Sequence, residues 1–526
     1  MSEESNVNMA KRDADEAELA RMGYKQELRR DLSLLQNFGV SFSIISVITG
    51  VPSLFLYGLN TGGPAVMVWG WVVVCLAMAE VCSAHPTSGG PYFWAAMLSP
   101  PEYAAFASWI TGWFNLLGQV AVTTGISFAA ATFISTAATL GTDFEPTAKT
   151  NIGVYAAVLV AQGLINTFGV HILGYLNNIS VWWHAVGTTA LVIAILAKAP
   201  THQTGKWVFQ TFIDNTAATS DSVGWGQRAS NAYVVIIGIL MAQYTLTGFD
   251  AATHNAAMSG SIGIVMAIGV SAVLGWFLIL GLLFSIQDLD GTISSSTGQP
   301  VAQIFLDTVG ERGAIVLMVI VYRMMYAFAR DGGIPGHKFF HKVDAKRKSP
   351  VRTSLPSLGS SVAFAAATSI ATIGLYISYG TYYPTALTPP PALSHLLSMD
   401  IAIPIALRLV NRKTFVRGPF HLGAFSYPAA FLAVTWICFI SIVFMLPQLN
   451  PVDSQTLNYA PVAVGIVIVY SLGFWLLSAR TWFTGPIKQI QAEESGVDVM
   501  SPGEFEKAQS LEKVRIVDRT SVTERA

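Results

Sequence analysis

The sequence predicts an all-α polytopic membrane protein. Three observations carry that prediction. Of 526 residues, 52% are hydrophobic and only 12% charged, about half the ~25% charge of a soluble domain. Mean hydropathy is +0.51. The apolar residues also fall in runs long enough for helices to cross a ~30 Å hydrocarbon core. Net charge is −1, which leaves no global field for nucleic acid. Cys75, Cys82 and Cys438 all lie in apolar stretches. That placement argues against a disulfide framework and for small buried hydrophobes.

Residues 1–36 read as a polar, charge-mixed tail on the cytoplasmic side, without the pattern of a cleavable signal peptide. One transmembrane domain follows, 37–478. Its spans are expected at about 37–59, 63–84, 104–134, 152–171, 175–197, 232–252, 262–286, 314–329, 355–380, 424–447 and 460–478. A weaker stretch, about 392–410, contains His395, Asp400 and Pro404. The segment 381–400 (TYYPTALTPPPALSHLLSMD) is proline-rich and reads as a breaker. Residues 479–526 form a polar C-terminal tail.

Orientation follows from Lys and Arg in the connecting segments. Lys11, Arg12, Arg21, Lys25, Arg29 and Arg30 crowd the first tail. Arg330, Lys338, Lys342, Lys346, Arg347, Lys348 and Arg352 crowd a later segment, and Arg408, Arg412, Lys413 and Arg417 another. The alternate segments are poor in cations. The basic set, with both termini, is therefore expected in the cytoplasm. Parity then fails once. Segments 330–353 and 408–417 share a side, yet only one good span lies between them.

Glu80 closes the second apolar run and opens AEVCSAHPTSGGPYFW, residues 79–94. A carboxylate at the end of a span is costly unless it is wet, paired or functional. Two spans carry interruptions. In the first, Ser46, Ile48, Thr49 and Gly50 precede Pro52, which removes a backbone donor and clashes with the preceding turn. In the sixth, Thr245, Thr247, Gly248 and Phe249 lead to Asp250. Interrupted helices in corresponding positions point to a transporter site. Freed N–H groups suit a carboxylate, and freed carbonyls suit an ammonium or cation. The competing reading for each is a proline kink or a glycine packing notch.

Three ionisable residues inside apolar segments stand out, Glu80, His184 and Asp250, and each is a candidate for proton coupling or gating. For His184 the alternative is a hydrogen bond to a neighbouring helix. Trp182, Trp183 and Phe249 are candidates for contact with a cationic solute, or else packing and belt residues. No phosphate loop, zinc motif or catalytic set is present in the sequence, so neither an enzyme nor a cofactor or metal is expected. The sequon Asn178-Ile-Ser180 falls on the cytoplasmic side and should stay bare.

Several strings together resemble the fungal GABA, amino acid and choline permeases of the amino acid–polyamine–organocation superfamily. They are the Glu80 string, FGVSFSIISVITGVPSLFLYGL from Phe38, LNNISVWWHAVGTTAL from Leu176, TLTGFDAATH from Thr245 and RMMYAFARDGGIPGHKFF from Arg323. The resemblance runs from about Asp31 to Pro486. It implies a twelve-helix transporter, a five-plus-five inverted repeat plus two helices, with alternating access and proton coupling. It also implies that Ser46–Gly50 and Thr245–Phe249 cradle the substrate's charged groups. The chain departs from this pattern around helices 8–10. Asn255-Ala-Ala-Met replaces an acidic segment after His254. The eighth span has only 16 residues, Ala314 to Ala329, or about 24 Å. A span is missing after Thr353, which matches the parity failure, and 381–400 is inserted.

The expectation is thus a secondary active transporter in the plasma membrane, or alternatively the vacuolar membrane. It imports a small amine-bearing solute such as GABA, an amino acid or choline, with protons as the coupling ion. The alternative is a non-transporting, regulatory or defective form of such a permease, or a carrier specific for choline.

Overall fold

The computed structural model describes residues 34–74, 95–96, 99, 103–142, 144–168, 170–247, 260–295, 297–328, 364–379, 426–453, 456–483 and 485. Glu80 and its string up to Trp94, Gly248, Phe249, Asp250, the segment 381–400 and most of both tails lie outside the described residues.

The described chain is helical. The first span divides into α1 (Leu34–Ile45), α2 (Val47–Ser53) and α3 (Phe55–Asn60), and α4 (Gly63–Val74) follows. α5 (Ala104–Gly141), α6 (Ala148–Phe168) and α7 (Val170–Lys198) are long. Two short helices, α8 (Gly205–Gln210) and α9 (Trp225–Arg228), lie in the loop before α10 (Asn231–Gly238) and α11 (Leu240–Thr245). Then come α12 (Gly260–Phe284), α13 (Leu289–Ile293), α14 (Pro300–Phe328), α15 (Phe364–Tyr379), α16 (Ser426–Val443) and α17 (Ala460–Leu477). Among the described residues β-structure is confined to two isolated bridges, Thr61 with Asp214 and Ala217 with Asn450.

Among the described residues, four helical stretches are long and apolar enough to cross a bilayer: Ala104–Gly141, Asn178–Lys198, Met266–Phe284 and Ala460–Leu477. Their outward faces keep large apolar side chains exposed, including Trp182, Val469 and Leu477. That exposure suits lipid rather than water. α5 has 38 residues and overruns the expected 104–134. At 1.5 Å per residue it reaches about 57 Å, well beyond the bilayer core.

The bundle closes around α1 and α2, which pack on α12 and α14, and around α5, which packs on α15. The second contact is a glycine seam. A Cβ on Gly118 would lie 2.6 Å from the Leu375 amide nitrogen, and one on Gly374 would lie 2.7 Å from the Gly118 nitrogen. Only glycine lets two membrane helices approach this closely. Gly125, farther along α5, faces Thr368, earlier in α15, so the two helices run antiparallel.

The eighth span departs from its expected bounds. α14 starts at Pro300, and Gly310 breaks it at φ 73°, ψ 173°, a backbone region open essentially to glycine. The arm after the break runs from 311 to Phe328, where the described residues stop. Its start at Ile315 meets Gly141 at the end of α5.

The loop between α7 and α10 caps one end of the bundle. Gly62 and Ile213 exchange backbone hydrogen bonds at 2.8 and 3.3 Å, and Asn215 N–H donates to Asn60 O at 2.9 Å. Asp214 accepts from Thr216 and from the Gly226 amide. Asn450, before α17, donates to Thr216 O and accepts from the Ala218 amide. The loop thus ties the end of α3 to the chain ahead of α17.

Candidate functional site

The first span breaks at Ser46, whose φ 8°, ψ 78° is not helical. A break in a membrane helix frees backbone groups that water cannot reach. Here a side chain from another helix takes them. Nε2 of His184, on α7, accepts the Val47 N–H at 3.1 Å. Its Nδ1 lies 3.1 Å from Phe42 O. These two partners fix the tautomer: the ring carries its proton on Nδ1 and is neutral. The ring also stacks on Phe42, centroids 4.2 Å apart, and is fully buried. His184 thus bridges the break from α1 to α2.

Pro52 does not mark the break. It lies inside α2, and the chain turns again just after it at Leu54. Between the two interruptions the small polar residues are locally tied. Thr49 Oγ1 donates toward Ser46 O, 3.0 Å away, and lies 2.9 Å from Ser46 Oγ. Ser53 Oγ donates to Thr49 O at 2.6 Å. Ser46, Ile48 and Thr49 are buried.

The sixth span is divided as well, into α10 and α11 at Ile239, and leaves the helix after Thr245. Thr245 Oγ1 donates to Met241 O at 2.7 Å, and Thr247 Oγ1 to Tyr244 O at 2.6 Å. The two interrupted spans meet. A Cβ on Gly50 would lie 2.6 Å from Thr245 Cγ2 and 2.9 Å from its Oγ1. Sequence positions 195 apart are thereby in van der Waals contact, and glycine at 50 is what permits it.

The structure therefore brings Gly50 against Thr245, with Thr49 bonded to Ser46 beside it and His184 behind the break, while Thr247 bonds within its own span. Ile48 lies near Gly187 of α7. Trp183 faces away from the junction, its Nε1 donating to Ile320 O at 3.0 Å. Trp182 is 69% exposed on the outer face. Glu80, Gly248, Phe249 and Asp250 lie outside the described residues. The sequence reading passed over Gln243 and Tyr244, which are buried in α11 just before Thr245.

A polytopic helical bundle with two interrupted spans in contact belongs to the class of membrane transport proteins. A family model described as amino acid permease matches residues 32–469, and the chain belongs to that family. Among its relatives is "Amino-acid permease BAT1" of Arabidopsis thaliana, 38% identical, the match covering 91% of this chain and 97% of the relative. The "Amino-acid permease BAT1 homolog" of Oryza sativa subsp. japonica is 40% identical over 91% and 96% of the two chains. "Amino-acid permease 2" of Neurospora crassa is 27% identical over 89% and 88%. These are transporters, not enzymes. The Arabidopsis alignment is 532 residues long yet covers only 91% of this chain. Tens of its positions therefore face gaps here.

Proposed function

We propose that this permease is a secondary active carrier that imports a small amine-bearing solute by alternating access, with GABA, an amino acid or choline as candidates. The observation that carries the reading is the contact of Gly50 with Thr245 between two interrupted spans. The hydroxyls there add chemistry. Thr49, Thr245 and Thr247 each direct their hydrogen at a main-chain carbonyl. What they present outward is lone pairs, which suit an ammonium donor. Gly248 and Phe249 continue this cradle in our reading.

Proton coupling is assigned to His184, with Glu80 and Asp250 as gating or relay partners. A second proton on His184 would occupy Nε2, the atom that accepts the Val47 N–H. Protonation and the geometry of the break are then one event. The plasma membrane is the site of uptake in this reading, and both termini are cytoplasmic.

A second reading is a form of the permease that does not transport. It is favoured by the short apolar run of the eighth span in the sequence and by the alignment gaps. Uptake of radiolabelled GABA, choline and an amino acid panel, in cells lacking their own permeases and at acid and neutral pH, separates the two. Saturable uptake that is stronger at acid pH supports the proton-coupled carrier. Uptake only after the missing spans are restored supports the second reading.

A further inference from the structure

Burial without a partner is the observation to explain. Gln243 is fully buried, and neither its Nε2 nor its Oε1 has a hydrogen-bond partner. Among the described residues it is the one side chain with both polar atoms unpaired. The next residue, Tyr244, is 5% exposed, and its hydroxyl is also unpaired. Other unpaired atoms, such as the hydroxyls of Ser43, Ser108 and Ser441, lie on separate helices, and those of Ser271, Trp276 and Ser285, in or just after α12, are not chain neighbours. Buried polar groups are nearly always satisfied, so two neighbours left open call for a reason. Both sit on the six-residue α11, directly before Thr245.

The Tyr244 hydroxyl has a defined place. A Cβ on Gly125 of α5 would lie 3.1 Å from its oxygen, and Thr368 of α15 borders the same point. The phenol therefore reaches past the Gly50–Thr245 junction to the seam of α5 and α15, where glycine at 125 leaves it room.

We infer that the Tyr244 hydroxyl and the Gln243 carboxamide are specificity groups, which bind the hydrogen-bonding group at the end of the solute away from its amine. The inference rests on the carrier reading above and narrows its substrate class. The hydroxyls of Thr49, Thr245 and Thr247 offer acceptors to the ammonium. Tyr244 and Gln243 offer donors as well as acceptors, in neutral form, to a carboxylate, carboxamide or hydroxyl. A solute with an aliphatic tail leaves both buried groups unpaired. Sites built to hydrogen-bond discriminate strongly on that ground. GABA and polar amino acids are then preferred over aliphatic amines and aliphatic amino acids.

The test uses matched competitors of uptake, GABA against n-butylamine and glutamine against norleucine, with thermal unfolding of the full chain in detergent. The wild-type chain should prefer the polar member of each pair. Tyr244→Phe and Gln243→Leu should each reduce that preference on the order of ten- to a hundred-fold. The same variants should unfold at the same or a higher temperature, because each removes an unpaired buried polar group. A purely structural role would give the opposite sign. Lower stability, or an unchanged preference in both variants, overturns the inference while the carrier reading stands. If none of the four compounds is taken up by the wild-type chain or shifts its unfolding while choline or another amino acid is taken up, this inference falls and the carrier reading stands; if choline and the amino acid panel also fail, both fall.

Discussion

Two of the close glycine contacts in the described bundle differ in what the glycine faces. At the junction of the interrupted spans, Gly50 faces the side chain of Thr245. At the seam of α5 and α15, Gly374 faces the main chain of Gly118 and Phe114, and Gly118 faces the main-chain nitrogen and side chain of Leu375. A side chain can rotate aside, whereas a main chain in a continuous helix cannot. The first contact can therefore part and re-form at small cost, and the second cannot part without separating two helices. The junction has the character of a hinge and the seam that of a frame, so each element's sequence tolerance should differ accordingly.

The seam should give the largest effect. Gly374→Leu drives a side chain against the Gly118 nitrogen and the Phe114 carbonyl, 2.7 and 3.1 Å from the new Cβ. Overpacking of this kind costs on the order of 3 kcal/mol or more. The expected result is loss of monodisperse protein on size exclusion. The splint comes next. His184→Ala leaves Phe42 C=O and Val47 N–H buried and unpaired, at about 1–3 kcal/mol each. Thermal unfolding should fall markedly, and His184→Gln, which keeps a donor and an acceptor, should recover part of the loss.

Gly50→Ala sharpens the contrast. It should fold, but uptake should drop on the order of ten-fold, because its Cβ meets Thr245 Cγ2 at 2.6 Å. Thr245→Ser removes that methyl and should restore part of the uptake in the double variant, a non-additive pair. If Gly50→Ala is instead lost to aggregation like Gly374→Leu, the two contacts are of one kind and the distinction fails. The smallest effect belongs to Ser230→Ala. Ser230 Oγ caps α10 by accepting the Tyr233 N–H at 3.2 Å, and its loss should cost about 1 kcal/mol or less in unfolding, with uptake unchanged.

Much of this was legible in the sequence, because composition and apolar run length report directly on a helical bundle in lipid. The existence of both interrupted spans was legible too, from glycine and small polar residues among apolar ones. Their exact seats were not. Pro52 drew attention to itself, yet the chain leaves the helix at Ser46 because His184, 138 positions later, supplies what the broken backbone needs. Local propensity carries no trace of such a partner. α14 was read as starting at Ala314, since Glu311 and Arg312 interrupt the apolar run, while helix forms from Pro300 on either side of Gly310. Gln243 and Tyr244 were overlooked for a related reason. A polar residue in an apolar stretch becomes informative only when its neighbours are seen to leave it unpaired.

The loop that joins the end of α3 to the chain before α17 has a practical consequence. Through Gly62 and Asn60 it is fastened to the interrupted first span, so any tilt of α3 has to carry the loop along. Asp221 stands exposed on that loop. A dye attached there would travel with the span and turn each transport cycle into an optical signal, read without touching the buried junction.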